Sequence, residues 1–264
     1  MGKFEIICKK IKNLEIQGAE NIAKAGLKAY ALKPNKNSIK KLLSLRYTEP
    51  CLANALKFAE KNSVKEALEY LERSDKLIAK LGANLVKGNV YTHCHSSSVN
   101  KVLVEAKNKR NFKVYCTETR PRFQGRITAV ELAKLKIPVE MYVDSAMRLA
   151  IKKAKVAMIG ADSITKKGEV INKIGSELVA DTCNHFKVPL YIITNSWKFD
   201  MRSLYKKEIP IEKRPVNEVW DKVPRGVSIA NPAFEKIKPS SIKAIVSELG
   251  ILSPKSFVKK VLKR

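Results

Sequence analysis

The stretch of sequence that decides the fold is GNVYTHCHSSSVNKVLVEAKNKRNFKVYCT, residues 88–117. Two short apolar runs in it, residues 90–93 and 112–117, have the length and the content of β-branched and aromatic residues that are typical of buried strands. Between these runs, residues 97–108 carry apolar side chains at the spacing of an amphipathic helix. The order strand, helix, strand predicts two parallel strands that are joined by a right-handed crossover.

The alternation of strands and helices continues towards the end of the chain. Further strands are predicted at residues 139–143, 156–160 and 190–194, and further helices at residues 128–135, 145–153, 174–185 and 242–249. We therefore predict an α/β fold in which residues 86–264 form a Rossmann-like domain with a doubly wound parallel sheet. We expect this domain to carry most of the active site.

The first part of the chain, residues 1–85, is predicted to be a helical domain. Apolar residues recur at helical spacing from Ala19 to Tyr30, and Pro34 ends that segment. The segment SVKE at residues 63–66 has the pattern of a capping box, in which the first and last side chains bond to the backbone at a helix start. No pattern typical of strands competes with helices in this part of the chain.

The chain is strongly basic, with 52 lysines and arginines against 25 aspartates and glutamates and a formal net charge of +27. Such a balance is typical of proteins that bind nucleic acid, because clustered cations gain from the release of counterions. Most of the basic residues are lysines that are scattered over every segment, without a run of five or an aromatic-interleaved stripe. This distribution argues against a nucleic-acid partner and fits an anionic small molecule or an acidic protein equally well.

The cysteines and the apolar runs indicate the compartment. Five cysteines at irregular spacing form no C-x-x-C pair, which predicts reduced thiols and neither a disulfide framework nor a zinc site. No stretch approaches the roughly 20 consecutive apolar residues of a membrane-spanning helix, and the first residues do not have the pattern of a signal peptide. We expect a cytoplasmic protein with no membrane partner.

Polar loops follow four of the predicted strands. In a doubly wound sheet the ligand binds outside the carboxyl ends of the strands, so these loops are where chemistry is expected. They are residues 92–98 (THCHSSS), 117–125 (TETRPRFQG), 144–146 (DSA) and 160–163 (GADS). Because all four are expected to converge on one edge of the sheet, the sequence predicts a site there.

Cys94 is the reactive candidate in the first of these loops. It precedes a helix whose first turn is rich in serine, so that free N–H groups and hydroxyls form a cradle for an anion. A thiol with the ordinary pKa of about 8.5 can act as an acid, whereas a helix N-terminus and neighbouring imidazoles lower that pKa and favour a thiolate. A buried structural cysteine is the third interpretation. His93 and His95 raise a metal hypothesis, but a third ligand at suitable spacing is missing.

Other polar residues of the loops have both a functional and a structural interpretation. Asp162 follows an apolar strand, where a carboxylate can move protons between adjacent carbons or simply cap a turn. Lys173 can supply a point charge to a phosphate and Asn172 can bond a hydroxyl, or both are solvated residues of a turn. Arg120 and Arg122 can bind an anion through two hydrogen bonds, or are ordinary surface charges.

Taken in order, the loop motifs resemble those of a known family. They are residues 92–97 (THCHSS), 117–125 (TETRPRFQG), 143–146 (VDSA), 160–163 (GADS), 170–175 (VINKIG), 188–191 (VPLY) and 197–200 (WKFD). This set resembles the family that unites methylthioribose-1-phosphate isomerase, archaeal ribose-1,5-bisphosphate isomerase and the α, β and δ subunits of initiation factor 2B. The resemblance is good over residues 85–250 and weaker through the helical part.

The resemblance implies a catalytic pair. Enzymes of this family carry a cysteine in the T-H-C loop and an aspartate in the G-A-D loop, which Cys94 and Asp162 match. In these isomerases the cysteine acts as an acid in ring opening and the aspartate moves a hydrogen at C2. The resemblance further implies contacts to a phosphorylated pentose by a larger set, which is Gly18, Ala19, Arg46, Ser97, Arg120, Gln124, Asn172 and Lys173. It also implies a homo-oligomer, a dimer or a hexamer, and neither a metal nor a nucleotide cofactor.

Two further segments bear on the choice within the family. Arg46, in the segment LRYTEP, resembles an arginine that holds a phosphate in the archaeal ribose-bisphosphate enzymes, although Tyr47 replaces a proline. In the segment IQGAE at residues 16–20, Gln17 and Glu20 stand where the enzymes have R-G-A-G. Gln17 therefore replaces an arginine that holds a phosphate, which costs about 1.5–3 kcal/mol of binding.

Two functions follow from this resemblance. The first is an isomerase that converts ribose 1,5-bisphosphate to ribulose 1,5-bisphosphate in nucleoside salvage by acid–base catalysis, with a related pentose phosphate as a variant. The second is a non-catalytic regulatory subunit, similar to those of initiation factor 2B, that binds sugar phosphates or nucleotides and a translation initiation factor. The residues at positions 17 and 20 and the basic surface favour the second.

Overall fold

The structure is a computed structural model, and it describes residues 2–205 and 208–263. Five helices make up its first part, which are α1 (Lys3–Lys12), α2 (Ala19–Leu32), α3 (Lys36–Leu45), α4 (Pro50–Lys61) and α5 (Val64–Ala83). The hydroxyl of Ser63 accepts a hydrogen bond of 3.1 Å from the N–H of Glu66 at the start of α5. This bond confirms the helix start that the capping pattern predicts.

The remainder of the chain alternates strands and helices around a seven-stranded sheet. Its strands, in the order in which they lie side by side, are β10 (Gly250–Leu252), β9 (Ala244–Ser247), β7 (Leu190–Ile193), β4 (Val156–Ile159), β1 (Val90–Thr92), β2 (Val114–Thr117) and β3 (Val139–Tyr142). The accompanying helices are α6 (Ser97–Lys107), α7 (Gln124–Lys134), α8 (Met147–Lys152), α9 (Ser176–Phe186) and α10 (Pro254–Leu262). Neighbouring strands are parallel, except that β10 runs antiparallel to β9. The predicted α/β fold class is confirmed.

The strand order places a switch point between β1 and β4. From β1 the chain proceeds to β2 and β3 on one side, whereas β4, β7 and β9 extend the sheet on the other side. Loops that leave β1 and β4 therefore diverge to opposite sides and leave a crevice at the carboxyl ends of these strands. The two loops carry Cys94 and Asp162, respectively.

The prediction of a helix at residues 242–249 is wrong, because strand β9 lies at this position. Its four residues are completely or almost completely buried, and Ile245 lies opposite Ile192 of the parallel strand β7. Gly250, at a φ of +114°, starts the returning strand β10. In the sequence, a strand that is buried on both faces is a continuous run of apolar residues and shows no alternation of apolar and polar residues. Over so few residues, spacing alone does not distinguish it from a buried helix.

A small antiparallel sheet beside the main one was not predicted. It consists of β5 (Ser163–Ile164), β6 (Val170–Lys173) and β8 (Phe234–Ile237), in the order β5-β6-β8. Asn172 and Lys173 therefore lie at the end of a strand and not in a turn. A two-residue strand and its short partner leave too few residues for a period to be recognised.

Helix α5 connects the helical part of the chain to the main sheet. A Cβ atom on Gly82 would lie 2.5 Å from a methyl carbon of Val102 in α6, so the two helices approach as closely as glycine allows. Ile78 and Ala83 of α5 share a buried apolar cluster with Val102 and Val90 of the sheet region. The division at residues 85 and 86 remains a prediction. Within the described ranges, no helix combines the length and the apolar content that crossing a membrane requires.

Candidate active site

A cavity of about 140 Å³ lies at the carboxyl ends of β1 and β4. Its walls come from both parts of the chain, namely the start of α2, the segment before α4 and the loops that follow β1 and β4, together with the end of β6. Nine of the ten residues with a predicted site role line it, which are Gly18, Ala19, Arg46, Cys94, Ser97, Gln124, Asp162, Asn172 and Lys173. The structure thus brings together residues that are up to 155 positions apart in the sequence.

Arg120 is the predicted residue that the structure places elsewhere. Its guanidinium group donates a hydrogen bond of 3.0 Å to the carbonyl oxygen of Val219 and lies 4.9 Å from the ring centre of Phe123. Arg122, two positions further on, lines the cavity instead. The arginine of this loop that faces the cavity is therefore Arg122.

Cys94 is held in an unusual backbone conformation. Its φ of +66° lies in the left-handed region, which is costly for a residue that carries a side chain. The N–H of Cys94 donates a hydrogen bond of 3.0 Å to the hydroxyl of Thr119, and its carbonyl accepts one of 2.9 Å from the hydroxyl of Thr128. These two bonds fix the loop, so that the thiol lies on the cavity wall in front of α6.

The protonation of Cys94 follows from its surroundings. Burial raises the pKa of this thiol to about 11, and the positive charge of Lys173 only partly opposes that effect. At neutral pH the group is therefore a thiol and not a thiolate. Of the alternatives that the sequence left open, the geometry favours an acid.

The loop after β4 packs directly against the loop of Cys94. A Cβ atom on Gly160 would lie 2.8 Å from the hydroxyl oxygen of Ser96, so only glycine permits this approach. Two residues later, the N–H of Asp162 donates a hydrogen bond of 2.9 Å to the carbonyl of Ile171 in β6. The contact of the two loops explains how Cys94 and Asp162 come to line one cavity.

The carboxyl group of Asp162 is buried and lies among positively charged side chains. Burial raises the pKa of its carboxyl group, whereas the positive charges of Lys198, Lys173 and Arg46 lower it. The ammonium group of Lys198 donates a hydrogen bond of 2.6 Å to the carbonyl of Ala161 and is itself buried. Burial has the larger effect, so the pKa of Asp162 is raised above its ordinary value, which favours a role in accepting a proton.

Arg46 and Glu49 form a buried pair beside Asp162. The guanidinium group of Arg46 donates a hydrogen bond of 2.9 Å to Oε1 of Glu49. The second carboxyl oxygen of Glu49 and the Nε of Arg46 are buried, and neither has a hydrogen-bond partner among the described residues. Both residues line the cavity. A buried polar atom without a partner costs free energy, which a bound ligand can recover.

Arginines and glutamates alternate along one wall of the cavity, and one of them, Glu218, lies behind that wall. Glu212 lies 3.7 Å from Arg46 and 3.2 Å from Arg214, and Glu218 accepts hydrogen bonds from both Arg214 and Arg122. We call these five residues the arginine–glutamate ladder. Each of its three guanidinium groups already faces a carboxylate.

Lys173 contrasts with the arginines of this ladder. Its ammonium group lies 4.8 Å from the ring centre of Phe234, and within the described part of the chain it has no ion-pair partner. Asn172, its neighbour in β6, donates a hydrogen bond of 2.9 Å to the hydroxyl of Ser176 and keeps its carbonyl oxygen for other contacts. Lys173 is thus a cation of the cavity that no carboxylate neutralises.

The start of α2 forms another wall. Gly18 precedes the helix with a φ of +84°, and no side chain caps the free N–H groups of the first turn. These N–H groups and the positive end of the helix favour an anion. Glu20, in that first turn, is only 3% exposed, and its Oε1 accepts hydrogen bonds from Lys24 and Lys101.

Glu20 belongs to a buried cluster of two carboxyl groups and two lysines. Asp75 of α5 contacts the same lysines, Lys24 and Lys101. Although burial opposes it, the hydrogen bond from Asp75 and the two lysines lower the pKa of Glu20 to about 2. Burial and the proximity of Glu20 raise the pKa of Asp75 to about 6. The two lysines therefore largely neutralise the negative charge of Glu20, which reduces its repulsion of an anion in the cavity.

The two histidines beside Cys94 have structural partners. His93 bonds the hydroxyl of Thr117 and the carbonyl of Ile174, each at 2.8 Å, so that both of its ring nitrogens are occupied. His95 bonds the hydroxyl of Thr128 at 3.1 Å. Across residues 2–205 and 208–263, no three metal-binding side chains of His, Cys, Asp or Glu cluster together.

The model of the Initiation factor 2 subunit family matches residues 15–254. The chain belongs to this family. Ribose 1,5-bisphosphate isomerase of Methanocaldococcus jannaschii is 36% identical, over 96% of this chain and 94% of that protein. The resemblance inferred from the loop motifs is confirmed.

The Initiation factor 2 subunit family also includes proteins that are named for translation. A Pyrococcus furiosus protein, named as similar to translation initiation factor eIF-2B subunit 2, is 30% identical over 94% of this chain and 95% of that protein. The solved structure of Pyrococcus horikoshii translation initiation factor eIF-2B superposes with a TM-score of 0.87 and 27% identity, covering 98% of this chain and all of that one. Membership in this family therefore establishes the fold, whereas the activity has to be inferred from the residues of the cavity.

In this member of the Initiation factor 2 subunit family, sequence reasoning missed four charged residues that line the cavity in the described part of the chain, which are Glu49, Lys198, Glu212 and Arg214. Glu49 lies within the segment LRYTEP, of which only Arg46 received a role, and Lys198 lies in the motif WKFD without one. Glu212 had no signal at all, because it lies in a segment without regular structure. Only the buried positions of Glu49 and Lys198 distinguish them from ordinary surface charges.

Proposed function

We propose that this protein is a sugar-phosphate isomerase that converts ribose 1,5-bisphosphate to ribulose 1,5-bisphosphate. The observation that carries the proposal is the presence of a protonated thiol, Cys94, and a buried carboxyl group, Asp162, on the walls of one cavity. Isomerase relatives support the reaction class. Relatives that are named ribose 1,5-bisphosphate isomerase, 30–36% identical to this chain, support this bisphosphate as the substrate by analogy.

The reaction needs an acid and a base on the two sides of the sugar. Cys94 donates its proton to the ring oxygen as the bond from C1 to that oxygen breaks, and the bonding electrons stay with the oxygen. The hydrogen on C2 then moves with its bonding electrons to C1, which the ring opening has left electron-deficient. The hydroxyl group of C2 gives its proton to Asp162 and becomes the carbonyl. Return of one proton to the thiolate from Asp162 then restores both groups, so the reaction has no net uptake or release of protons.

The polar atoms of the cavity suit a sugar with attached phosphates. One buried carbonyl oxygen on its wall, that of Gln124, has no hydrogen-bond partner among the residues described. Such an acceptor requires a hydroxyl donor, which a phosphate does not supply and a sugar does. Lys173 and the free N–H groups at the start of α2 provide positive potential for the phosphates.

A second candidate function uses the same cavity to bind a ligand but involves no catalysis. In this alternative the protein is a regulatory subunit that binds sugar phosphates or nucleotides and a translation initiation factor. Two observations favour it, namely the glutamine at position 17 and the relatives that are named for translation initiation. It predicts ligand binding without turnover.

Turnover of purified protein with ribose 1,5-bisphosphate tests the proposal. The wild type is expected to form ribulose 1,5-bisphosphate, and Cys94→Ser and Asp162→Asn are each expected to lower kcat by at least about 100-fold. Cys8→Ser is the matched control, because Cys8 is buried in α1, away from the cavity. Binding of the bisphosphate without any product would support the regulatory function instead. Product from another pentose phosphate alone would keep the reaction class and change the substrate.

A further inference from the structure

Glu49 is a buried carboxyl group that the proposed reaction does not use. It lies directly before α4, is 4% exposed, and lines the same cavity as Asp162. Only its Oε1 is occupied, by the guanidinium group of Arg46 at 2.9 Å. Its Oε2 is buried and has no hydrogen-bond partner within the described ranges. A carboxyl group with one oxygen held and the other free in a cavity is oriented for a ligand.

The charges around Glu49 come from several elements. Arg46 contacts it from the preceding segment, and the thiol of Cys51 lies close to it in α4. Asp162 and Lys198 face it from the loops of the α/β part. Glu212 shares Arg46 with it, at 3.7 Å from that guanidinium group. Arg46 is thus divided between two carboxylates and cannot fully neutralise Glu49.

Neighbouring buried carboxyl groups oppose each other's ionisation. Burial and the negative charge of Asp162 together raise the pKa of Glu49 to about 7, although Arg46 and Lys198 act in the opposite direction. Below neutral pH we therefore expect Glu49 to hold a proton, whereas three cations, Lys198, Lys173 and Arg46, favour the ionised form of Asp162 against its burial. A protonated carboxyl group has an O–H to donate, and the free Oε2 is the place for it.

We propose that Glu49 is a second substrate-binding carboxyl group, which keeps its proton and donates a hydrogen bond through Oε2 to an oxygen of the sugar. This inference rests on the proposed function and adds a residue to it. The proton stays on Glu49 throughout, so the balance of the reaction is unchanged. Asp162 remains the base, and burial together with the negative charge of Asp162 keeps Glu49 protonated. The active form of the site thus has Glu49 neutral and Asp162 ionised.

A pH profile distinguishes this role from a merely structural one. For the wild type, kcat/KM is expected to fall about tenfold per pH unit above about pH 7, as Glu49 loses its proton. Glu49→Gln keeps a neutral donor that can bond both Arg46 and the sugar, so its kcat/KM is expected to stay within about threefold at pH 6 and to lose the alkaline decline. Glu105→Gln, a surface change in α6 beside Lys109, is expected to keep the wild-type profile.

Three outcomes decide the matter. An unchanged alkaline decline in Glu49→Gln, or an equal loss of activity at every pH, overturns the role of Glu49 and leaves the isomerase intact. Absence of turnover by the wild type at any pH overturns the proposed function first, and the inference with it. If Glu49→Gln does not fold, Glu49→Asp takes its place and is expected to retain an alkaline decline at a shifted pH.

A measurement without substrate completes the test. Infrared difference spectra of the wild type, recorded between about pH 6 and about pH 8.5, are expected to show the loss of a protonated-carboxyl band. In Glu49→Gln that band is expected to be clearly smaller, with a remainder from Asp75, whose pKa is raised to about 6, and in Glu105→Gln it is expected to keep its full size. A band of equal size in Glu49→Gln would assign the proton to another carboxyl group and would contradict the inference.

Discussion

The ammonium group of Lys198 donates a hydrogen bond of 2.6 Å to the carbonyl of Ala161, the residue before Asp162. A buried lysine is thereby fixed next to the carboxyl group that is expected to act as the base. Of the positive charges that lower the pKa of Asp162, that of Lys198 has the largest effect. This contact keeps the carboxyl group available as a base in spite of its burial.

Replacing Lys198 with methionine is expected to impair the base. Without the positive charge, burial raises the pKa of Asp162 further, so that the acid limb of the kcat/KM profile moves to higher pH and activity at pH 7 falls on the order of 10–100-fold. The measurement is the pH profile of kcat/KM for both proteins. Lys243→Met, on the surface of the chain, serves as the control. A uniform loss at all pH values would indicate damage to packing instead.

The thiol of Cys94 is expected to react slowly with alkylating agents. With a pKa of about 11, its thiolate fraction at neutral pH is lower than that of an ordinary cysteine by more than about 100-fold. Mass spectrometry of the protein after treatment with iodoacetamide measures the rate. That rate is expected to rise steadily with pH beyond pH 9. Rapid labelling of Cys94 at pH 7 would show that a thiolate is present and that the acid role is wrong.

The glutamine at position 17 can be exchanged for the arginine of related enzymes. Gln17→Arg is expected to lower the KM for the phosphorylated substrate about tenfold or more, since a hydrogen bond between charged groups contributes about 1.5–3 kcal/mol. The gain is expected to shrink as ionic strength rises. Steady-state kinetics at low and high salt measure it, with Asn37→Arg, an exposed change in α3 outside the cavity, as the control. An unchanged KM would mean that no phosphate reaches position 17.

Asp75 is expected to make stability depend on pH. Its pKa is raised to about 6 in the folded protein, so the folded state binds the proton more tightly than the unfolded state does. The stability that this proton contributes is present in full below about pH 4 and is lost as pH rises through about 6, an effect on the order of 2 kcal/mol. Urea unfolding at several pH values is expected to show this decline in the wild type and a smaller one in Asp75→Asn, in which Glu49 still loses its proton near pH 7.

A control and a second group sharpen this test. Asp181→Asn, an exposed change in α9, is expected to leave the decline unaltered. Glu20 has the opposite sign, because its pKa is lowered to about 2, so its contribution is present above about pH 4 and is lost in more acidic solution. A decline of equal size in Asp75→Asn would assign the proton to another group.

The sequence predicted the main sheet well because that sheet follows local rules. Each parallel strand is a short buried apolar run between polar loops. Each loop at the crevice carries polar or ionisable side chains that are recognisable as candidates for binding or catalysis. Cys94 and Asp162 could be identified in this way. The error at β9 arises where Ile245 and Val246 are buried on both faces, so that no alternation marks a strand.

The remainder of the site depends on contacts that spacing does not encode. Glu49 and Lys198 differ from surface residues only through burial, which arises when the segment before α4 meets the loops of the sheet. Glu212 reaches Arg46 across a separation of 166 residues. The exchange of Arg120 for Arg122 at the cavity depends on how one loop turns, which the composition of the loop cannot reveal.

The arginine–glutamate ladder has a consequence for selectivity. Because every guanidinium group on it is already engaged, an entering anion meets no bare arginine and must displace a carboxylate to obtain one. A small free anion such as inorganic phosphate recovers little of that loss, whereas a ligand that also fills the unsatisfied positions elsewhere in the cavity recovers much more. We therefore expect inorganic phosphate to bind at this wall more weakly than a phosphate that is attached to a polyhydroxylated carbon chain.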